Sequence, residues 1–238
     1  MSTALNMARW DVVLQIRSHL YSATAFTTAT LCLVAYLLAP LHVDAKWLAL
    51  LLFTDPAVIG LSFVGAFILM ERGGNTLLAL STSPLTAFNY VFGKIVSFSF
   101  LGFCSGILVA VTAALGDLNY LVMMVSLVLT NALAVIVGFC LSARAQSVNG
   151  FLVRLSLALI IALLPLMAYL PDNPSALFYA FALIPSYSIL TVLEVGFQVA
   201  NISLTAYAVH VAYLAAWIAA GLFWAVRDYD RFMRQFGR

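Results

Sequence analysis

The chain has 238 residues, 64% of them hydrophobic and 8% charged, with a formal net charge of +2; its mean hydropathy is +1.07. A soluble domain carries about 25% charged residues, so this chain cannot clothe a globule in solvated surface, and a net charge this small gives no sign of nucleic-acid binding. Repeated apolar runs of about 20 residues point to membrane-spanning helices rather than a β-barrel, whose strands run about 10 residues with alternating polarity.

The first segment, residues 5–20, places Asp11, Gln15, Ser18 and His19 on one side at helical spacing and Val12, Val13, Ile16 and Leu20 on the other, with Arg9 and Trp10 suited to headgroup level. This predicts an interfacial amphipathic helix within residues 1–20; a cytoplasmic extension of the first span is the alternative. The polarity and length of this segment do not fit a cleavable signal. Spans are predicted over about 21–39, ending at Pro40, and about 48–70, which carries Asp55-Pro56. Residues 71–94, ERGGNTLLALSTSPLTAFNYVFGK, form the longest run not apolar enough to be a span. A third span follows over about 91–115, a tight turn at 116–119, and a fourth span over about 120–142. After the polar loop 143–149 comes a fifth span, about 151–170, containing Pro165. Pro171, Pro174 and Pro185 break residues 171–202 into pieces too short to cross. Two short helices that dip into the outer leaflet and return are expected there, packed on protein or lining a cavity. The sixth span covers about 203–226, and the tail is basic.

The fold expected is all-α, one transmembrane domain over 1–238 with six spans. Lysine and arginine set its orientation. With both termini cytoplasmic, Arg9, Arg17, Arg72, Lys94, Arg144, Arg154, Arg227, Arg231, Arg234 and Arg238 lie inside and only Lys46 outside, of the 11 in the chain.

Little in the sequence suggests catalysis. The phosphate-binding loop of nucleotide hydrolases is absent: Gly93-Lys94 resembles its end, but Ile95 follows and Phe88 occupies the first glycine's place. No zinc-protease or hydrolase motif occurs. Cys32, Cys104 and Cys140 each lie in an apolar run and read as small buried hydrophobes, and His19, His42 and His210 have no metal-ligand spacing. Two acids fall at membrane depth. Asp55 is either a polar point on a substrate pathway or at a subunit contact, or the cap of a helix restarted at Pro56. Glu194 either faces an outer vestibule or reaches the aqueous surface. Gly102 and Gly106, and the row Ala134, Gly138 and Ser142, are small-residue stripes that suit close helix contact, within one chain or between two.

Residues 71–94 resemble the permease subunits of ATP-binding-cassette exporters of the type-2 permease family. The pattern there is an acidic-basic pair after the second span, a Gly-Thr-Leu, a Ser-Pro or Thr-Pro, and a Lys opening the third span. Glu71-Arg72, Thr76-Leu77, Ser83-Pro84-Leu85 and Gly93-Lys94 stand at those places, whereas Gly73, Gly74 and Asn75 depart from the pattern. The segments ARWDVVLQIRSHLYSATAF and FTDPAVIGLSFVGAFILMER also look like the fluoroquinolone-export branch. The resemblance implies two permease chains, identical or homologous, each resting a short cytoplasmic helix on one of two ATPase subunits that hold ATP and Mg; this chain would bind no cofactor. The helix would be residues 84–90, with Ser83 as cap and Pro84 in the first turn. Leu85 and Phe88 would form its apolar face, Thr86 and Tyr90 would complete the contact, and Glu71 and Arg72 would be supporting charges. Export across a prokaryotic inner membrane along the seam between protomers is what the resemblance implies; the lack of a ring of charges favours amphipathic or lipophilic, drug-like cargo, with Asp55, a partner for a basic amine, and Glu194 as candidate pathway residues. An ATPase-independent transporter or a membrane scaffold is the alternative.

Overall fold

Apolar runs with few helix breakers become helices because lipid leaves no other partner for the backbone N–H and C=O groups. A computed structural model describes residues 2–38, 43–74, 86–114, 118–145, 147–171, 176–197 and 203–236, and those residues contain no strand. Among these residues, six helices are long and apolar enough to cross a membrane: Leu20–Leu38, Ala45–Gly73, Ala87–Ala114, Tyr120–Ala143, Val148–Tyr169 and Leu204–Arg231. The protein is therefore an all-α, multi-pass membrane protein.

In chain order the elements are α1 (Ser2–Arg17), α2 (Leu20–Leu38), α3 (Ala45–Pro56), a π-helical segment (Ala57–Phe63), α4 (Val64–Gly73), α5 (Ala87–Ala114), α6 (Tyr120–Ala143), α7 (Val148–Leu163), α8 (Leu166–Tyr169), a 3₁₀ segment (Ala176–Leu183), α9 (Pro185–Gly196) and α10 (Leu204–Phe236). His19, at φ 58°, turns the chain between α1 and α2 in the left-handed region. Asn119 caps α6 by accepting from the Val122 N–H at 3.3 Å, and Ser147 caps α7 by accepting from the Gly150 N–H at 3.1 Å.

α6 is the centre of the bundle. The α3–π–α4 helix, α5, α9 and α10 all pack on it. Two cores result. One joins Met7, Phe67, Tyr90, Phe98, Phe139 and Tyr229, so both chain ends meet at one end of the bundle, here the terminal end. The other joins Ala49, Leu52, Met123, Leu127, Leu190 and Phe197 toward the far end.

The small-residue stripes act within this chain. A Cβ on Gly138 would lie 2.2 Å from the Gly60 carbonyl oxygen, and one on Gly60 would lie 2.5 Å from the Ala134 Cβ. A Cβ on Gly102 would lie 2.0 Å from Asn131 Oδ1. Glycine thus lets the π-helical segment approach the α6 backbone, and lets the Asn131 side chain of α6 lie against α5.

Three expectations change. Asp55-Pro56 does not restart a helix. Pro56 has no N–H to bond one turn back, and the chain passes from α3 directly into the wider π-helical turn and then α4 without breaking. Residues 87–90 are not part of a separate short helix, and the third span does not begin at 91: Ala87 to Tyr90 form the first turn of α5. Tyr90 is buried there, stacked on Tyr229 at 4.3 Å, which holds that turn on the bundle. The third change concerns α1. Its polar stripe faces inward: Asp11 and Gln15 are 0% exposed, while Trp10 and Ile16 are exposed. Against an apolar medium the polar side chains turn to protein partners.

The 3₁₀ segment and α9 replace a span over 176–196. Hydrogen bonds tie them to the bundle: Ser126 Oγ donates to the Val192 carbonyl at 2.9 Å, Asn119 N–H to the Gly196 carbonyl at 3.0 Å, and Tyr213 to the Leu183 carbonyl. Gly196 therefore sits at the far end beside the start of α6, and α9 begins deeper in the bundle.

Candidate functional site

The terminal end carries a buried charge cluster. Lys94 on α5 places Nζ 2.6 Å from Asp11 Oδ1 on α1 and 2.6 Å from Glu71 Oε1 on α4. Tyr90 donates to Glu71 Oε2 at 2.6 Å, and Gln15 Nε2 to Ser97 Oγ at 3.1 Å. Lys94 also lies over the Phe67 and Tyr90 rings, 4.3 and 5.2 Å from their centroids. Asp11 and Lys94 are 0% exposed and Glu71 is 4%. Two carboxylates share one ammonium here. Burial pushes the Asp11 carboxyl up to about 6, against the pull of Lys94.

Arg72, next to Glu71, faces the other way. It donates through Nη2 to the Ala143 carbonyl at 3.1 Å and through Nη1 to the Ala145 carbonyl. These are the carbonyls a helix leaves unpaired as it ends. The acidic-basic pair thus joins α4 directly to two neighbours, Glu71 to α5 and Arg72 to the end of α6, and Lys94 carries the link on to Asp11 of α1.

Of the residues expected to contact an ATPase, Ser83, Pro84 and Leu85 lie outside the described residues. Thr86 is exposed, and its carbonyl accepts from the Tyr90 N–H at 3.2 Å. Phe88 is 48% exposed and stacks on Phe92 at 5.5 Å. Thr86 and Phe88 line a surface groove of about 700 Å³ with Phe223, Arg227 and Asp230 of α10. Tyr90, Glu71 and Arg72 hold the frame behind that surface. Sequence reasoning named Glu71 and Lys94 but missed Asp11 as their partner. The available signal was the match of spacing, Asp11 and Gln15 on α1 against Lys94 and Ser97 on α5.

The two membrane-depth acids are apart from this cluster. Asp55 is 0% exposed; its Oδ1 accepts from Ser105 Oγ at 2.7 Å, and Ser105 Oγ lies 2.6 Å from Thr28 Oγ1. A cargo molecule reaching Asp55 would require α2, α3 and α5 to part. Glu194 on α9 accepts from the Tyr169 hydroxyl at 2.8 Å and is partly exposed. Among the described residues, no three His, Cys, Asp or Glu side chains converge on a metal position.

Six membrane-length helices with α6 at their centre, charges gathered at one end and hydroxyls paired across helices define a polytopic helical membrane protein. The family model of the fluoroquinolones export permease proteins matches residues 2–235, and the chain belongs to that family. It is accordingly a membrane permease. A search of curated proteins found no match.

Proposed function

We propose that the chain is the membrane subunit of an ATP-driven exporter of amphipathic, drug-like molecules, working as a pair with a second permease chain and with two ATPase subunits that carry ATP and Mg. The observation that carries this reading is Phe88. It is an exposed aromatic at the terminal end, on the first turn of α5, and that turn is fastened through Tyr90 and Lys94 to Glu71 and Asp11. A push on Phe88 is transmitted to α1, α4 and α5 together, because the cluster behind it is buried and close-packed. The same end holds Arg72, Lys94, Arg144 and Arg154, and the count of lysine and arginine supports a cytoplasmic orientation for it. A prokaryotic inner membrane fits that arrangement. The family's printed name supports export of fluoroquinolone-like compounds.

The test is co-purification of an ATPase subunit with the full chain, before and after Phe88→Asp. A charge placed on an apolar docking face is expected to release the ATPase at least 10-fold while the melting temperature of the permease is unchanged. Retention of a bound, active ATPase by the variant overturns the assignment.

A further inference from the structure

Two adjoining cavities run between α6, α7 and α10. The deeper, about 400 Å³, is walled by apolar side chains that include Phe53, Leu61, Leu133 and Trp217, and carries two hydroxyl residues, Thr130 on α6 and Ser186 at the start of α9. Hydroxyls in membrane helices ordinarily bond the carbonyl three or four residues back. Thr24, Thr28, Thr112 and Ser156 do so here. Thr130 and Ser186, at 0% and 4% exposure, have no hydrogen-bond partner among the described residues. The same cavity meets the beginning of α9, a 12-residue helix whose N-cap position, Ile184, offers no side-chain cap and whose first residue, Pro185, has no N–H. The Tyr187 N–H already donates to the Ile184 carbonyl at 3.0 Å, which leaves the Ser186 N–H and the positive end of the helix dipole at this depth. A helix start within the membrane, uncapped and beside unpartnered hydroxyls, suits an oxygen acceptor on a bound molecule.

The second cavity, about 520 Å³, shares Leu133, Val137 and Trp217 with the first and reaches Arg144, Arg154 and Asp228 at the terminal end. Arg144 is paired with Asp228 at 2.7 Å. Arg154 is exposed and makes no ion pair among the described residues. The two cavities form one track: a cationic mouth, an apolar shaft and a hydrogen-bonding end.

We propose that each chain holds its own binding site for an apolar, ring-sized molecule bearing a carboxylate or carbonyl oxygen, with that oxygen on Thr130, Ser186 and the start of α9 and with entry past Arg154. The site rests on the reading of the chain as a carrier of amphipathic molecules, and it puts cargo inside one protomer as well as between two. Cavity size and lining fit a small-molecule pocket, apolar with a few convergent polar groups. The hydroxyls are the specificity element, because a molecule lacking the acceptor leaves them unpaired as before.

The test uses the purified full chain in lipid nanodiscs, without nucleotide or ATPase, and two probes: 2-naphthoate and its uncharged analogue 2-methylnaphthalene. Energy transfer from Trp217 to the naphthalene ring, taken as the part that Trp217→Phe removes, reports occupancy. Thr130→Val with Ser186→Ala is expected to weaken 2-naphthoate at least 10-fold and to leave 2-methylnaphthalene within twofold. Ala158→Phe, which fills the cavity wall, is expected to remove both signals. Naphthoate binding within twofold of the parent in the double variant overturns the proposal, as does the absence of any Trp217-dependent signal. Should Ala158→Phe not fold, the double variant still decides, since it keeps the cavity's shape. Binding without ATPase separates this outcome from the exporter reading: a chain that binds naphthoate but keeps its ATPase after Phe88→Asp retains this site and loses that coupling.

Discussion

Lys94 Nζ lies 2.6 Å from Asp11 Oδ1, joining residues 83 positions apart inside the protein. The contact pins the N-terminal helix to the start of α5, and Glu71 closes it onto the end of α4. A buried ion pair is weak evidence of net stability, since desolvation offsets much of the attraction. Its value here is geometric: three helices are held in one register at the end where a partner's force would enter.

Removing the cation alone should therefore cost more than removing the whole cluster. Lys94→Met leaves Asp11 and Glu71 buried without their counter-charge, a loss of about 3–5 kcal/mol. The triple variant Asp11→Asn, Glu71→Gln, Lys94→Met should recover most of that. Thermal unfolding of the detergent-solubilised chain measures both. If the triple variant melts no higher than the single one, the charges are not coupled as the geometry requires.

Stability should also rise on mild acidification. Burial raises the Asp11 carboxyl from 3.8 to about 6, with Lys94 opposing the rise. A folded-state value above the unfolded one means the carboxyl's contribution is fully present below about pH 4 and is lost as pH climbs through about 6. Lowering the pH from about 7.5 to about 5.5 should raise the melting temperature, and Asp11→Asn should flatten that slope. An unchanged slope in Asp11→Asn would assign the pH response to other groups.

The crossing of the π-helical segment with α6 should tolerate no added methyl. A Cβ on Gly138 would fall 2.2 Å from the Gly60 carbonyl oxygen, a backbone atom that cannot swing aside. Gly138→Ala should cost about 1–3 kcal/mol by overpacking. Gly73, whose added Cβ meets nothing within 4 Å, is the control, and Gly73→Ala should be neutral or slightly stabilising. Equal melting temperatures for the two variants would refute close approach at this crossing.

The number of spans, their order and the broken stretch before the last helix were legible because each is a local consequence of composition. About 20 apolar residues without a break satisfy their own backbone in lipid, and Pro171, Pro174 and Pro185 interrupt that pattern. The small-residue stripes were legible as well, but not their partners. Gly138 could equally have met another chain until the structure set Gly60 against it.

The charge cluster and the hydroxyl cavity were decided only by tertiary structure. A polar stripe on a helix reads the same whether it faces water or the protein interior, so Asp11 and Gln15 suggested a headgroup-level surface. Contact with Lys94 and Ser97 turned them inward. Thr130 and Ser186 look like any hydroxyls in apolar runs, and only the packing of α6, α7 and α9 places both, unpartnered, on one cavity. The physical reason is common to both cases. Periodicity reports which residues share a face of one helix, whereas long-range packing selects what that face meets.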